Sequence, residues 1–184
     1  MLSAQLLEKL DWQIATLTSK MSQQLQDEVI WPCKLSISVL LLDTNNHCLL
    51  LRKKSTGQRV LPWWWVETAW DSWDTTTRGD VISSAVREVK EESGIDITPN
   101  DIIDVLSPFV FQSRSWTSFK ITLVAQRYEY LTPTLGIQDE MDSSQCIPLV
   151  LISDSDAMLL GMTLSTQKSI NKYVSRKNHR DRLK

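Results

Sequence analysis

Three glutamates in one short segment are the residues whose type and spacing could do chemistry. The segment DVISSAVREVKEESGIDI, residues 80–97, has the apolar periodicity of a helix. Residues three and four apart are neighbours on a helix surface, so Glu88, Glu91 and Glu92 lie on one side, opposite an apolar side. Carboxylates this close repel each other. Mg²⁺ or Mn²⁺, hard cations that prefer oxygen ligands, would relieve that repulsion.

The alternative for these residues is an acidic helix face that is simply solvated. A motif match decides against it, because REVKEESGI at residues 87–95 resembles the second half of the Nudix box at every constrained position. The resemblance implies that Glu88 and Glu92 are the main metal ligands. It also implies that Glu91 assists, through the metal or through water, and that Arg87 orients the carboxylates and shares in catalysis.

The resemblance to the Nudix family covers most of the chain, from about residue 34 to residue 175. The segment LPWWWVE, residues 61–67, is similar to the family's LPGGGVE, which joins a hairpin to the catalytic helix. Glu140 is placed like a late glutamate that binds metal or acts as a base in many members. The implied activity is hydrolysis of a pyrophosphate bond in a nucleoside diphosphate linked to another group, with Mg²⁺ or Mn²⁺ as cofactor.

The chain departs from the family pattern in two segments. Trp63, Trp64 and Trp65 stand where glycines are expected, and Gly79 stands where the box has a glutamate. Glycine serves in such a loop because the backbone passes close to metal and phosphates. Three interpretations stay open: the indoles stack on a nucleobase, the chain kept the fold and lost the chemistry, or the sequence was altered at glycine positions. The third would restore LPGGGVE, and it agrees with only 5 glycines and 8 tryptophans in 184 residues.

Helices before, within and after a set of short strands predict an α/β fold, a Nudix-like α/β/α sandwich around a mixed β-sheet. The boundaries of the elements follow from apolar periodicity and turn residues. The predicted helices span residues 2–28 and 80–93 and begin again near Thr163, and the predicted strands span 35–42, 47–54, 102–111, 118–128 and 146–152. The first two predicted strands, 35–42 and 47–54, are predicted to form a hairpin.

Substrate selection needs side chains outside the acidic helix. The candidates are basic and aromatic residues flanking the strands, namely Arg52, Lys53, Arg59, Arg114, Phe109, Phe111 and Trp116. Each has a simpler interpretation as a core or solvated residue. We expect these residues to choose among nucleotide substrates, and the sequence does not indicate which nucleotide.

Composition and charge limit the classes of partner that the protein is expected to bind. A net charge of −2 gives no overall basic field, which disfavours nucleic acid as a partner. The partner that the resemblance implies is a small-molecule nucleotide. The N-terminus has no long apolar run, so we expect no membrane association and a cytoplasmic protein. The three cysteines are expected to be reduced thiols. We expect an N-terminal helical segment, 1–30, whose apolar stripe packs on the Nudix-like domain, 34–184, or forms a homodimer.

Overall fold

The structure of the protein, a computed structural model, describes residues 3–26, 33–65, 78–112, 117–127 and 140–183. The four helices of this described part are α1 Ala4–Gln26, α2 Arg78–Ser93, α3 Asp154–Leu159 and α4 Leu164–Arg182. The strands are β1 Cys33–Leu42, β2 His47–Lys53, β3 Arg59–Val60, β4 Trp63–Trp65, β5 Ile102–Gln112, β6 Thr117–Gln126 and β7 Met141–Pro148. No described helix is long and apolar enough to cross a membrane.

The strands form one mixed sheet of seven strands. Its main path runs β3-β2-β1-β6-β5, with β4 paired to β1 and β7 paired to β2. The central pair, β1 and β6, is parallel along its whole length, from Cys33 opposite Thr117 to Leu42 opposite Gln126. All other pairings are antiparallel. The sheet is therefore mixed, as the order of elements in the sequence predicts.

Each face of the sheet has its own core. Successive side chains of a strand point to opposite faces, and in the central strands those on both faces are mainly apolar. Leu41 of β1 and Leu123 of β6 belong to the core shared with α1 and α2. Leu42 and Val124 belong to the core shared with α3 and α4. Helices on both faces make this the predicted sandwich of three layers.

The stripe of α1 packs on its own domain. Leu6, Leu10 and Leu17 are buried in the same core as the central strands. Leu7 and Ile14, which belong to the predicted apolar stripe, are only partly buried against that core. The buried face is thus rotated toward the preceding residues, which agrees with the tilt of helical side chains toward the N-terminus.

Two strand predictions were wrong in extent. The hairpin of β1 and β2 is short, with Leu42 opposite Cys48 next to the turn, because β4 pairs with β1 at Ser36–Ser38 and β7 pairs along β2. The last strand is Met141–Pro148 and not 146–152. It begins in a polar stretch because one side of β7 is exposed, and an exposed face carries no apolar signal.

Helix ends agree with their capping residues. α2 ends before Gly94, whose φ of 71° is the left-handed conformation that glycine adopts without strain, and its N–H donates to the carbonyl of Lys90 at 2.9 Å. α4 begins after Thr163, whose hydroxyl accepts a hydrogen bond from the Thr166 N–H at 3.4 Å. Both ends were predicted from the sequence.

A buried aspartate connects three elements. Asp104 of β5 is 6% exposed, and it forms ion pairs with Lys9 of α1 at 2.7 Å and with Arg176 of α4 at 3.1 Å. Arg180 lies 4.0 Å from the same carboxylate. This group fixes α1 and α4, which pack on opposite faces of the sheet, to the same edge strand.

We expect Asp104→Asn to lower the free energy of unfolding by about 2 kcal/mol, because it leaves partly buried cations without their counter-charge. Asp96→Asn is the matched control, since Asp96 pairs with Lys90 at 2.5 Å while its side chain is 77% exposed. That change should cost less than about 0.5 kcal/mol. Denaturant titration of both variants measures the difference, and equal effects would show that Asp104 contributes no more than a surface pair.

Candidate active site

The site begins with the two glutamates of α2 that are buried. Glu88 is 8% exposed and Glu92 is 2% exposed, although both are charged residues on a helix that also presents Lys90 to solvent. They are one turn apart on the same face. The adjoining positions Ala85 and Val89 enter the core. The amphipathic pattern therefore determines how α2 packs on the core, and this packing buries the two carboxylates.

Burial changes the acidity of the second glutamate. It raises the pKa of the Glu92 carboxyl to about 8, and the negative charges of Glu88 and Glu140 act in the same direction. A hydrogen bond from the Trp63 N–H to Oε2, 3.0 Å long, and the charge of Lys53 oppose that rise in pKa without cancelling it. The surroundings of Glu92 thus supply too little positive charge to stabilise its carboxylate form.

The other predicted members of the acidic site occupy different environments. Arg87 is exposed and its Nη2 pairs with Oε1 of Glu88 at 2.8 Å, which is the orienting contact expected for it. Glu91 is partly buried on the same helix. Glu140 is exposed, and its backbone carbonyl accepts a hydrogen bond from the Lys54 N–H at 2.9 Å. Its charge reaches Glu92 across more than forty residues of sequence. The catalytic roles of these residues stay predictions.

The arrangement fits a hard divalent cation. No three His, Cys, Asp or Glu side chains of the described residues form a group that could hold an ion by themselves. Mg²⁺ does not require such a cage, because it is commonly held by one or two carboxylates together with water and substrate phosphates. Glu88 and Glu92 supply two oxygen ligands whose excess negative charge a cation would neutralise. Glu67 lies outside the described residues.

The tryptophans form a strand, and not the loop that the resemblance implies. Trp64 pairs with Ile37 of β1 and its side chain enters the core at 6% exposure, where Nε1 has no hydrogen-bond partner within the described structure. Trp63 is half-buried on the opposite face, with Lys53 Nζ 4.3 Å from the centre of its ring. The side chain of Trp65 lies outside the described part of the structure. The indole of Trp64 is thus in the core, whereas Trp63 contacts Glu92 through its backbone N–H.

A cavity of about 420 Å³ opens on the α4 face of the sheet, next to Trp63. Its polar lining includes Lys53, Lys120 and Ser165. Lys120 is 7% exposed, and its Nζ donates to Oγ of Ser165 at 3.2 Å. Burial lowers the pKa of the Lys120 ammonium to about 8, although the charge of Glu92 opposes that shift. The charge of Glu92 thus acts on a lysine that lines the cavity.

The structure brings only some of the predicted substrate residues to this cavity. Lys53 and Phe111 line it. Phe109 lies beside Phe111, with ring centres 6.1 Å apart. Arg52 and Arg59 instead line a separate pocket along β2 and β7, where Arg52 pairs with Asp142 at 2.6 Å and Arg59 donates to the carbonyl of Leu160. Arg114 and Trp116 lie outside the described residues.

The sequence analysis missed Lys120 and Ser165. A signal existed for Lys120, which lies in the apolar strand SFKITLVAQ. Residues two apart in a strand share a face, so Lys120 is on the same face as Thr122 and Val124, which are both fully buried. Lysine is almost never fully buried without a reason. Ser165, in the first turn of α4, carries no such signal.

The raised pKa of Glu92 predicts how stability depends on pH when no metal is present. The folded protein holds a proton on Glu92 up to pH 8, whereas the unfolded chain releases it near 4.5, so stability falls as pH rises between these values. We expect Glu92→Gln to remove this loss and to raise the free energy of unfolding at pH 8 by on the order of 2–4 kcal/mol.

The measurement is thermal or denaturant unfolding in a chelator at pH 4.5 and at pH 8. Glu91→Gln is the matched control, because it makes the same change of charge at a less buried position of the same helix. It should have little effect at either pH. Equal stability of the wild-type protein and Glu92→Gln at pH 8 would contradict the prediction.

Comparisons with known proteins give structural relatives only. No family model matches the chain, and no curated protein sequence matches it. The structure is similar to the MutT protein from Methanosarcina mazei Go1, with 20% identity and a TM-score of 0.58 over 82% of this chain and 99% of that one. It is also similar to the NUDIX domain of Shewanella oneidensis NrtR, complexed with ADP ribose, with 16% identity and a TM-score of 0.56 over 89% and 98%.

A third similar structure is a C. elegans Ap4A hydrolase, with 14% identity and a TM-score of 0.54 over 79% of this chain and 98% of that chain. The chain thus matches nearly the whole length of these proteins. Identities this low show the fold and leave substrate and chemistry open. The fold-class prediction, with helices on both faces of a mixed sheet, is confirmed.

Proposed function

Because the chain has the Nudix fold and carries the box glutamates on the catalytic helix of that fold, we propose that it hydrolyses a pyrophosphate bond in a nucleoside diphosphate linked to another group. The single observation that carries the proposal is the pair of buried carboxylates, Glu88 and Glu92, the second of which accepts the backbone N–H of Trp63, a residue that lines a cavity of nucleotide-binding size. Similar structures include an Ap4A hydrolase and a domain complexed with ADP ribose, which supports a nucleotide substrate.

The cofactor in this proposal is Mg²⁺ or Mn²⁺, held by Glu88 and Glu92, with Glu140 and Glu91 as further ligands or partners of water. Bound there, the cation would neutralise the diphosphate and make a water molecule more acidic. Glu88 is fixed for this role by Arg87, which pairs with its Oε1. Glu92 is fixed by the Trp63 N–H, which donates to its Oε2.

The chain's own residues supply position and charge for the reaction. Glu140, which is exposed near Glu92, is the candidate base that accepts the proton of the attacking water. Lys53 brings a positive charge near Glu92, where negative charge accumulates on the phosphates. Catalysis by such a site is mainly electrostatic and positional.

One observation favours a second function, a catalytically inactive Nudix-fold module that binds a nucleotide or a protein. Trp63 stands at a glycine position of the family and lines the cavity with a bulky residue where glycine would leave space. An inactive module would still bind a nucleotide in the cavity, and it would do so equally with and without a divalent metal.

The deciding experiment is turnover by the full chain on dinucleoside polyphosphates, nucleotide sugars and nucleoside triphosphates, with Mg²⁺, with Mn²⁺ and with a chelator. Release of a nucleoside monophosphate or pyrophosphate that requires the metal supports the hydrolase. Metal-independent nucleotide binding without turnover supports the inactive module. Binding of neither kind, combined with a dimer formed through α1, would overturn both.

A further inference from the structure

The cavity on the α4 face of the sheet is lined by both apolar and polar residues. Its apolar lining includes Trp63 and Phe111, and its polar lining includes Lys120, Thr163 and Ser165. The polar residues come from β6 and from the start of α4, which meet only in the folded protein. A volume of about 420 Å³ lies within the usual range of small-molecule sites. Such a cavity suits a planar ring that has polar groups on one edge.

The position of the cavity determines which part of a substrate it can hold. Trp63 lines the cavity and donates its backbone N–H to Glu92 at 3.0 Å, so one residue connects the cavity to a predicted metal ligand. The phosphates of a substrate belong at the two buried glutamates, beside the cation. The part that extends into the cavity is therefore the group attached to the phosphates, and the aromatic ring of Phe111 favours a base over another phosphate.

Lys120 is the most distinctive group in the cavity. Its ammonium is buried, and within the described structure its only hydrogen bond goes to the neutral hydroxyl of Ser165, at 3.2 Å, with no carboxylate at ion-pair distance. An ammonium group has three donors and no acceptor, and a buried donor without an acceptor is costly. Lys120 therefore favours a ligand that brings acceptors to it.

We propose that Lys120, positioned by Ser165, selects a nucleobase with carbonyl acceptors on its edge, so that guanine, hypoxanthine or uracil is preferred over adenine or cytosine. The proposal rests on the proposed function for the statement that the ligand is a nucleotide. A lysine pairs well with the O6 and N7 acceptors of guanine. The amino group of adenine or cytosine would set a donor against the ammonium and leave both unpaired.

The residues that make this selection do not belong to β4. Lys120 is on β6 and Ser165 is on α4, 45 residues later. The preference should therefore be the same whether residue 63 is tryptophan or glycine. The related oxo bases are separated by size, since guanine and hypoxanthine are purines whereas uracil is a pyrimidine.

The test is binding of GMP, IMP, UMP, AMP and CMP to the full chain in a chelator, measured by calorimetry. We expect GMP or UMP to bind about tenfold more tightly than AMP or CMP respectively. Comparison of GMP with UMP shows which ring size the cavity takes. Lys120→Met should bring both ratios close to one. Lys172→Met is the matched control, because Lys172 lies 4.3 Å over Phe109 and does not line the cavity, and it should keep the ratios.

Lys120→Gln is the second variant, and it keeps the inference testable if the methionine variant does not fold. Glutamine offers an acceptor as well as a donor and pairs with the N6 and N7 edge of adenine, so it should shift the preference toward AMP. The inference is overturned by equal binding of oxo and amino bases to the wild-type chain, by an unchanged preference in the folded Lys120 variants, or by no binding at millimolar concentration.

These outcomes are independent of hydrolysis, because no metal is present. Preference for oxo bases without turnover in the substrate panel would support this inference and count against the hydrolase. Turnover without any base preference would do the reverse.

Discussion

Replacing Glu92 by glutamine lowers metal-dependent turnover by about a thousandfold or more, while the protein folds as before. Glutamine keeps the shape of the side chain and an oxygen that can accept the Trp63 N–H, so the packing of α2 on β4 is retained. It removes the negative charge that a divalent cation requires of its ligand. The measurement is initial rate with Mg²⁺ or Mn²⁺ on the best substrate of the panel.

Three controls make that result specific. Glu8→Gln makes the same change on an exposed position of α1 and should leave turnover unchanged. Ca²⁺ should support the wild-type reaction poorly, because it is larger and takes looser geometry. Mg²⁺ should raise the melting temperature of the wild-type chain and not that of the Glu92 variant. A Glu92→Gln protein that keeps more than a tenth of the wild-type rate would remove this residue from the metal site.

The second large effect concerns the tryptophans. We expect the chain as written to be weakly active, and glycine at positions 63, 64 and 65 to raise turnover by about a hundredfold. Trp63 lines the cavity, its backbone N–H donates to Glu92, and Lys53 Nζ lies 4.3 Å from the centre of its ring. A bulky group there displaces the substrate from the glutamates, and a displacement of about 1 Å can cost roughly a hundredfold.

Separate variants identify which indole is responsible. Trp63→Gly alone should give most of the gain. Trp64→Phe should give none, because Trp64 is in the core and away from the cavity face. The triple glycine variant should also be less stable by about 3–5 kcal/mol, the usual effect of emptying an aromatic site in a core. Turnover must therefore be compared at a temperature where all variants are folded.

The opposite result has a definite meaning. Robust turnover by the chain as written, lost when residue 63 becomes glycine, would show that the indole is part of the substrate site. The Nε1 of Trp64, buried without a hydrogen-bond partner in the described structure, bears on the same question. A core usually satisfies such a donor. Its isolation agrees with a tryptophan at a position shaped for a smaller residue.

The sequence by itself determined the features that depend on neighbours along the chain. The spacing of Glu88 and Glu92, the end of α2 at Gly94 and the start of α4 at Thr163 are all local. Helical periodicity and capping act within a few residues, so they can be read without a structure. The α/β class follows from the order of such elements.

Only the tertiary structure decided which distant segments meet. Trp63 became a cavity wall because β4 pairs with β1, and Trp64 entered the core for the same reason. Lys120 met Ser165 because α4 packs on the face of the sheet to which Lys120 contributes. β7 extended into a polar stretch because β2 offered it a partner along that length. Strand pairing and helix docking join residues far apart in sequence, and the register that joins them depends on the packing of the whole domain.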